Sequence, residues 1–443
     1  MAGESKNKKA VGLVGAIAIG IGGMVGGGIF AVLGEAVSLA RKATPIAFLF
    51  SGIIALLTSY AYAKLSVRFQ SRGGTVLFVD QAFGSNIASG SVNLMLWLSY
   101  LVTIALYAAA FASYAGTFFP QIHSSLFRHA LISIAIVLPT LINLVSASFV
   151  SKSETAIVAL KLLLLLVILG FSLPALASAP VTLPAPGAVP SIFMAGMVIF
   201  VAYEGFELIA NASEEITNPE RNLPLAFYIS VVVVIVLYVL IGFVTVQAVP
   251  EAQLMRAKDY ALAVAAKPAL GQTGFVIVSV AALLATFSAI NATIYGNARL
   301  GYFLARDGEL PEIFDRQAWN EPVMGVVMTA AISLVIANAI SLTEIAVIAS
   351  ASFLLIFALI NASAFRLRKE IGGNGAVFVA GLLLCLAALV ALLVQASSAS
   401  PRAVPVFLAF IAVSVLFELL YGCRVRKCFL GRIFGQDQQD TSK

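Results

Sequence analysis

Charged side chains are withheld from most of this chain and gather at intervals. Of its 443 residues, 11% are Asp, Glu, Lys or Arg, 60% are hydrophobic, and the mean hydropathy is +1.00. Between the charged clusters lie apolar runs of about 20 residues or more, the length that about 30 Å of hydrocarbon requires at about 1.5 Å of helix rise per residue. Such a balance excludes a soluble globular domain. It predicts an all-α integral membrane protein, because a helix satisfies its own backbone where lipid offers no partner. Twelve transmembrane helices are expected, near 11–36, 45–67, 87–118, 129–150, 155–177, 190–212, 224–249, 271–298, 322–341, 343–365, 376–397 and 402–422. The basic start, MAGESKNKKA, resembles that of a signal peptide, but the apolar run after it is too long and lacks a clear cleavage site, so it reads as a retained first span.

Lys and Arg distribution sets the orientation. With the N-terminus inside, 19 of the 27 basic residues fall on the cytoplasmic side and seven on the other, with Lys161 left in the membrane. The rich inside loops carry Lys64, Arg68 and Arg72, then Arg299, Arg306 and Arg316, then Arg366, Arg368 and Lys369. Both the N-terminal stretch 1–10 and the tail 423–443 are therefore expected in the cytoplasm of a plasma-membrane protein. The net charge of +6 is dispersed over loops, with no basic stripe of the kind nucleic acid requires. Cys385 lies within a span, and Cys423 and Cys428 flank basic residues on the reducing side, where palmitoylation is conceivable and a disulfide is not expected. His123 and His129 share one outer loop, and no Cys, His and carboxylate spacing suggests a metal. No cofactor is expected, and oligomeric state is not legible.

Six glycines stand between Gly20 and Gly28, inside the first span. Each costs roughly 0.8–1 kcal/mol against alanine in a helix interior. Two readings account for them. Gly22 with Gly26, and Gly23 with Gly27, have the small-xxx-small spacing that lets membrane helices pack closely. Alternatively the helix breaks there, near mid-membrane, and exposes backbone N–H groups suited to an anion and carbonyls suited to a cation. An amino acid offers both. The sixth span, SIFMAGMVIFVAYEGFELIANASEEITNPERNLP, is likewise interrupted, by Glu204, Gly205 and Glu207. Intramembrane carboxylates are costly and mark function by default. Unwinding is expected at Gly22–Gly28 and Val201–Gly205. Five spans separate the starts of the two interrupted ones, as a five-plus-five inverted repeat requires. Glu204 and Glu207 are either ion-path groups or acceptors that cap the broken ends. The charge of Glu204 points to cationic substrates, although its direction is not legible.

Three stretches carry a resemblance: IGIGGMVGGGIF, FVAYEGFELIANASEEITNPERNLPLA and NARLGYFLARDGELPEIF, the last read as the loop after span eight. The chain resembles the amino acid–polyamine–organocation superfamily of secondary transporters, which adopt the LeuT-type fold. That resemblance implies a first repeat over 11–178, a second over 190–366, and two further spans over 376–422. It implies a substrate carboxylate at the amides of Gly26, Gly27 and Gly28. The amino group would meet carbonyls of Ile21 or Gly22 and of the stretch from Phe200 and Val201 through Tyr203 to Glu204. The family often has an aromatic gate where this chain has Val201, which leaves Phe200, Tyr203 or Phe206 to close the site, with Glu207 in support.

Lys161, in SKSETAIVALKLLLLLVILGF, lies eight residues beyond Ser153, about 12 Å into the membrane. It either snorkels back to the interface or serves the site. The resemblance implies the second: proton-coupled prokaryotic members place a span-five lysine where sodium-coupled members hold a cation. Lys161 would bond carbonyls freed near Gly20–Gly23 and exchange a proton where water reaches it. Thr286 and Ser288 are candidate hydroxyl partners. Trp97, Tyr100 and Tyr107 either line the pocket or pack. Arg299, Arg306 and Asp307 are candidates for inner-gate ion pairs. The expected function is amino acid import by proton symport. Alternatives are an amino acid or polyamine exchanger, or a non-transporting amino acid sensor. No nucleophile–base pair, metal motif or phosphate loop suggests an enzyme.

Overall fold

The structure, a computed structural model, describes residues 11–71, 73–145, 157–167, 169–172, 189–315 and 323–422. These residues are helical throughout apart from turns and one isolated parallel bridge between Val11 and Ile216. The expectations placed on residues 1–10, Arg72, Ser153, Arg316, Cys423, Cys428 and the rest of the tail lie outside the described residues.

The first apolar run forms two helices, α1 (Leu13–Met24) and α2 (Gly28–Ala40), separated by a break. The chain reverses at Arg41, whose φ is +50°, and α3 (Thr44–Arg68) begins with proline in its first turn, where a missing N–H costs nothing. A short α4 (Thr75–Phe83) precedes α5 (Ile87–Gly116), which opens with a reciprocal cap between Asn86 and Ser89. Then come α6 (Ser125–Val145), α7 (Ile157–Ser172) and α8 (Val189–Val198). After α8 the chain tightens into a 3₁₀ turn over Phe200–Tyr203, opens out, and makes one further turn, α9 (Leu208–Asn211). The two parts of this sixth span are bent by 53°. The remaining helices are α10 (Pro219–Ala248), short α11 (Glu251–Arg256) and α12 (Ala261–Ala265), then α13 (Lys267–Arg306), α14 (Val323–Ala339), α15 (Leu342–Arg366), short α16 (Arg368–Ile371), α17 (Gly375–Ala399) and α18 (Ala403–Phe417).

Among the described residues, eight helical runs are long and apolar enough to cross a membrane, the bent pair α8–α9 makes a ninth, and α1, α7 and α14 are shorter apolar helices. The run from Gly28 to Arg68 counts as one only if the reversal at Arg41 is ignored. Leu138, Leu141, Val390, Leu383, Val413 and Leu416 stand exposed on α6, α17 and α18, as lipid-facing side chains do. By contrast α5 and α15 are enclosed, and with α3, α10 and α13 they surround the broken helices.

Three elements differ from the sequence reading. Residues 297–306, expected in the loop after span eight, continue α13, because no breaker intervenes before Gly308 and Gly301 is seated against the Trp97 ring. The loop expected after span two contains α4, whose Phe78 packs on Tyr62. In the first span, unwinding is confined to Val25–Gly27, so Ile21 and Gly22 remain helical and the Ile21 carbonyl accepts from Val25 N at 2.7 Å.

Each end of the molecule is fastened by a different chemistry. At the end carrying Arg41, the buried Glu35 of α2 pairs with Lys258 at 2.6 Å and accepts from the Thr343 hydroxyl at the start of α15. Lys258 Nζ also donates to Thr343 Oγ1 at 3.2 Å. At the end carrying Arg68, Val11 N donates to Glu215 O and Thr217 N to Val11 O, at 3.0 and 2.9 Å. Ser213 Oγ there accepts from Ser71 N at 3.0 Å.

Lys258→Met is expected to destabilise the protein by about 1–3 kcal/mol, since it strands a buried carboxylate while Lys258 itself is partly solvated. The double variant Glu35→Gln/Lys258→Met should recover part of the loss. Thermal melts of the four proteins in a double-mutant cycle check this, and a coupling energy near zero refutes it.

Candidate functional site

The breaks in α1–α2 and α8–α9 meet in the core. A side chain on Gly23 would strike the backbone of Gly205, and one on Gly28 would lie 2.9 Å from the Ala202 Cα. Gly205 has φ +114°, a conformation closed to other residues, and a Cβ there would collide with the Gly23 carbonyl carbon. Glycine on both strands of the crossing is therefore a steric requirement. The packing reading of these residues and the broken-helix reading are both correct, at different positions.

Interrupting a helix strands backbone groups, and inside a membrane they need protein partners. Tyr238 of α10 places its hydroxyl 2.7 Å from Met24 O and 3.1 Å from Ala202 O, so its one proton can be given to either break. Ser350 of α15 accepts from Val201 N at 3.1 Å and donates to Val198 O at 2.7 Å, restoring both groups that the end of α8 leaves open. Lys161 of α7 donates to Gly22 O at 3.0 Å and is 2% exposed. Val158, one turn away, packs on Gly22, so α7 meets α1 along this line. The amides opening α2 at Gly28 begin a helix and so lack intrahelical partners, with their dipoles aimed into the break.

The two carboxylates of span six face α5. Glu204 Oε2 accepts from Thr103 Oγ1 at 2.9 Å. Glu207 Oε2 accepts from Gly205 N at 2.8 Å and its Oε1 from Tyr100 OH at 3.3 Å. Glu207 thus caps the broken backbone. Tyr107, one turn beyond Thr103, lays its ring on Gly27, leaving no room there for a Cβ.

The aromatic candidates separate by direction. Tyr203 turns away to donate to Phe48 O of α3 at 2.8 Å. Phe200 meets the Phe357 ring at 5.8 Å. Phe206 sits among Tyr62, Phe227 and Phe357. Val201 is fully buried, its amide held by Ser350. Trp97 packs on Phe314 and Tyr100 on Phe353. Thr286 bonds within its own helix, to Ala282 O at 2.7 Å, and no bond from it or from Ser288 to Lys161 is present among the described residues. Nor do Arg299 and Arg306 form ion pairs there. Each lies over a tyrosine of its own helix, Tyr295 and Tyr302, because four-residue spacing puts guanidinium and ring on one face. Among the described residues no group of His, Cys, Asp and Glu could hold a metal.

Tyr238, Ser350 and Thr103 were not singled out by the sequence. The signal for Tyr238 is a lone hydroxyl in SVVVVIVLYVLIGF, which must find an acceptor once buried.

Two broken helices crossed in the core of a bundle, with backbone groups at the crossing and a buried lysine on the first, fit a membrane carrier. The chain matches the amino acid permease family over residues 11–417 and belongs to it, within the amino acid–polyamine–organocation superfamily. It is 36% identical over 438 residues to an uncharacterised protein of Methanocaldococcus jannaschii, an alignment covering 97% of this chain and 99% of that one. It is 33% identical over 419 residues to inner membrane transport protein YbaT of Escherichia coli, covering 94% and 96%. With the methylthioribose transporter of Bacillus subtilis it shares 26% over 374 residues, covering 80% and 79%. The protein is a multi-pass amino acid transporter and not an enzyme.

Tyr238→Phe is expected to fold and insert but to lose about 1–2 kcal/mol, because two carbonyls in a lipid-enclosed core lose their shared donor. Chemical or thermal unfolding in detergent measures this, and an unchanged midpoint would remove Tyr238 as the link between the breaks.

Proposed function

We propose that this transporter imports amino acids by proton symport through alternating access, with Lys161 as the coupling group. The observation that carries the reading is the Lys161 ammonium on Gly22 O at 3.0 Å, one turn before the break in the first span. A protonated lysine there holds α1 against α7 by a charge-assisted bond. Loss of the proton weakens that bond and loosens the substrate-binding backbone next to it. The substrate carboxylate sits at the amides of Gly26, Gly27 and Gly28. Its amino group meets carbonyls of Ile21 or Gly22 and of the stretch 200–204, where a carbonyl that already accepts one bond keeps a second lone pair.

In this reading the helices make twelve spans in a LeuT-type five-plus-five arrangement: repeats over 11–178 and 190–366, then a pair over 376–422. The end carrying Arg68 faces the cytoplasm of a plasma-membrane protein, with both termini on that side. Phe200 is the gate best placed to close over the site, because Tyr203 is engaged with α3 and Phe206 lies in an aromatic cluster.

Lys161→Ala is expected to abolish uptake driven by a pH gradient into sodium-free proteoliposomes. Lys161→Gln, which keeps a donor but has no titratable proton to give up, should bind substrate without concentrating it. If Lys161→Ala still concentrates substrate in response to the gradient, the coupling assignment fails. Gly27→Leu should insert normally and lose substrate binding by more than about tenfold, since the Tyr107 ring fills the space beside it. Normal binding by the folded variant would move the carboxylate seat elsewhere.

A further inference from the structure

The two carboxylates of span six are not equivalent. Both oxygens of Glu207 are engaged, by Tyr100 and by Gly205 N. Glu204 has one oxygen on Thr103, while Oε1 accepts no hydrogen bond among the described residues. No Lys, Arg or His of the described residues forms an ion pair with it. Glu204 is 4% exposed, whereas Val201, Ala202, Tyr203 and Phe206 beside it are 0% exposed. Tyr107 is also 4% exposed, and its hydroxyl makes no hydrogen bond among the described residues. That hydroxyl lies 3.9 Å from where a Gly26 side chain would begin. Thr103 and Tyr107 are four residues apart on α5, hence on one face.

A buried carboxylate without a cation is costly, and an unpartnered phenol beside it adds to the cost. Resting on the reading that an amino acid seats its carboxylate at Gly26–Gly28, we propose that Glu204 and Tyr107 form the side-chain subsite and select substrates bearing a side-chain ammonium or guanidinium. Glu204 Oε1 takes the cation, and the Tyr107 hydroxyl accepts a hydrogen bond from it. Gly28 lies against Ala202, two residues before Glu204, so the Glu204 Cα is at most about 7 Å along the chain from the residue that Gly28 touches.

The test compares isosteres. Purified full-length protein is titrated with arginine and with its neutral isostere citrulline, and with lysine and norleucine, following thermal stabilisation. The wild type should bind each cation at least about tenfold more tightly than its neutral partner. Glu204→Gln should bring each pair within about threefold, with the larger loss falling on arginine and lysine. Tyr107→Phe, which keeps the ring over Gly27, should weaken lysine binding severalfold more than norleucine binding. If the wild type binds citrulline and norleucine as tightly as arginine and lysine, the subsite assignment is wrong, although amino acid transport stands. If Glu204→Gln keeps the cation preference but loses gradient-driven uptake, Glu204 carries a proton instead, which also overturns the proposal. If the folded wild type binds no amino acid of a full panel, the failure lies with the underlying seat.

Discussion

Backbone hydrogen bonding without water is the constraint from which this structure follows. A helix crossing lipid closes its own account, and a helix that stops midway cannot. Two helices stop midway here, so donors and acceptors must arrive from elsewhere. Tyr238 comes from α10, Ser350 from α15 and Lys161 from α7. Glu207 comes from the broken segment itself, steadied by Tyr100 of α5. Each must sit within about 3 Å of its partner, which fixes the surrounding helices around the breaks. The enclosure of α5 and α15 is a consequence of that convergence, as is the apolar periphery of α6, α17 and α18.

Backbone also has to touch backbone where the breaks cross. The contact between Gly23 and Gly205 leaves no space for a methyl group on either side. The glycines in the first span therefore do unequal work. Gly23 permits the crossing, Gly27 admits the Tyr107 ring, and Gly22 accepts the flank of α7. A stretch that looks uniformly helix-averse is a set of separate steric solutions, and its helix survives through Met24 because packing outweighs intrinsic propensity.

Much of this was legible in the sequence, for a physical reason. Span positions follow from hydropathy, which lipid enforces strongly, and the interruptions at Gly22–Gly28 and Glu204–Glu207 are compositional anomalies too costly to be accidental. Lys161 stood out on the same ground, and the structure puts it on Gly22. What was hidden depended on direction. Whether Glu204 and Glu207 face the same partner, whether Thr286 reaches Lys161, and whether Arg306 meets an acid or an aromatic ring are questions of rotation about a helix axis, and hydropathy along a fully apolar helix carries almost no such phase. Helix α4 was hidden because its apolar face is spent on the protein, at Tyr62, and it is too short to register as a span. The role of Ser350 was hidden because serine is ordinary in a membrane helix until the backbone opposite is known.

The bridge between Val11 and Ile216 has a mechanical meaning. It ties the far end of α1 to the segment that follows α9, so the two half-helices share one fastening at their tips and one crossing at their roots. A helix of 12 residues is a lever of about 18 Å, and a tilt of ~15° about its root carries the tip by about 5 Å, wider than a water molecule. Linked at both ends, neither lever can swing far without the other. Because the fastening is made of main-chain amides, its strength does not depend on which side chains occupy those positions, and sequence drift there would leave the linkage intact.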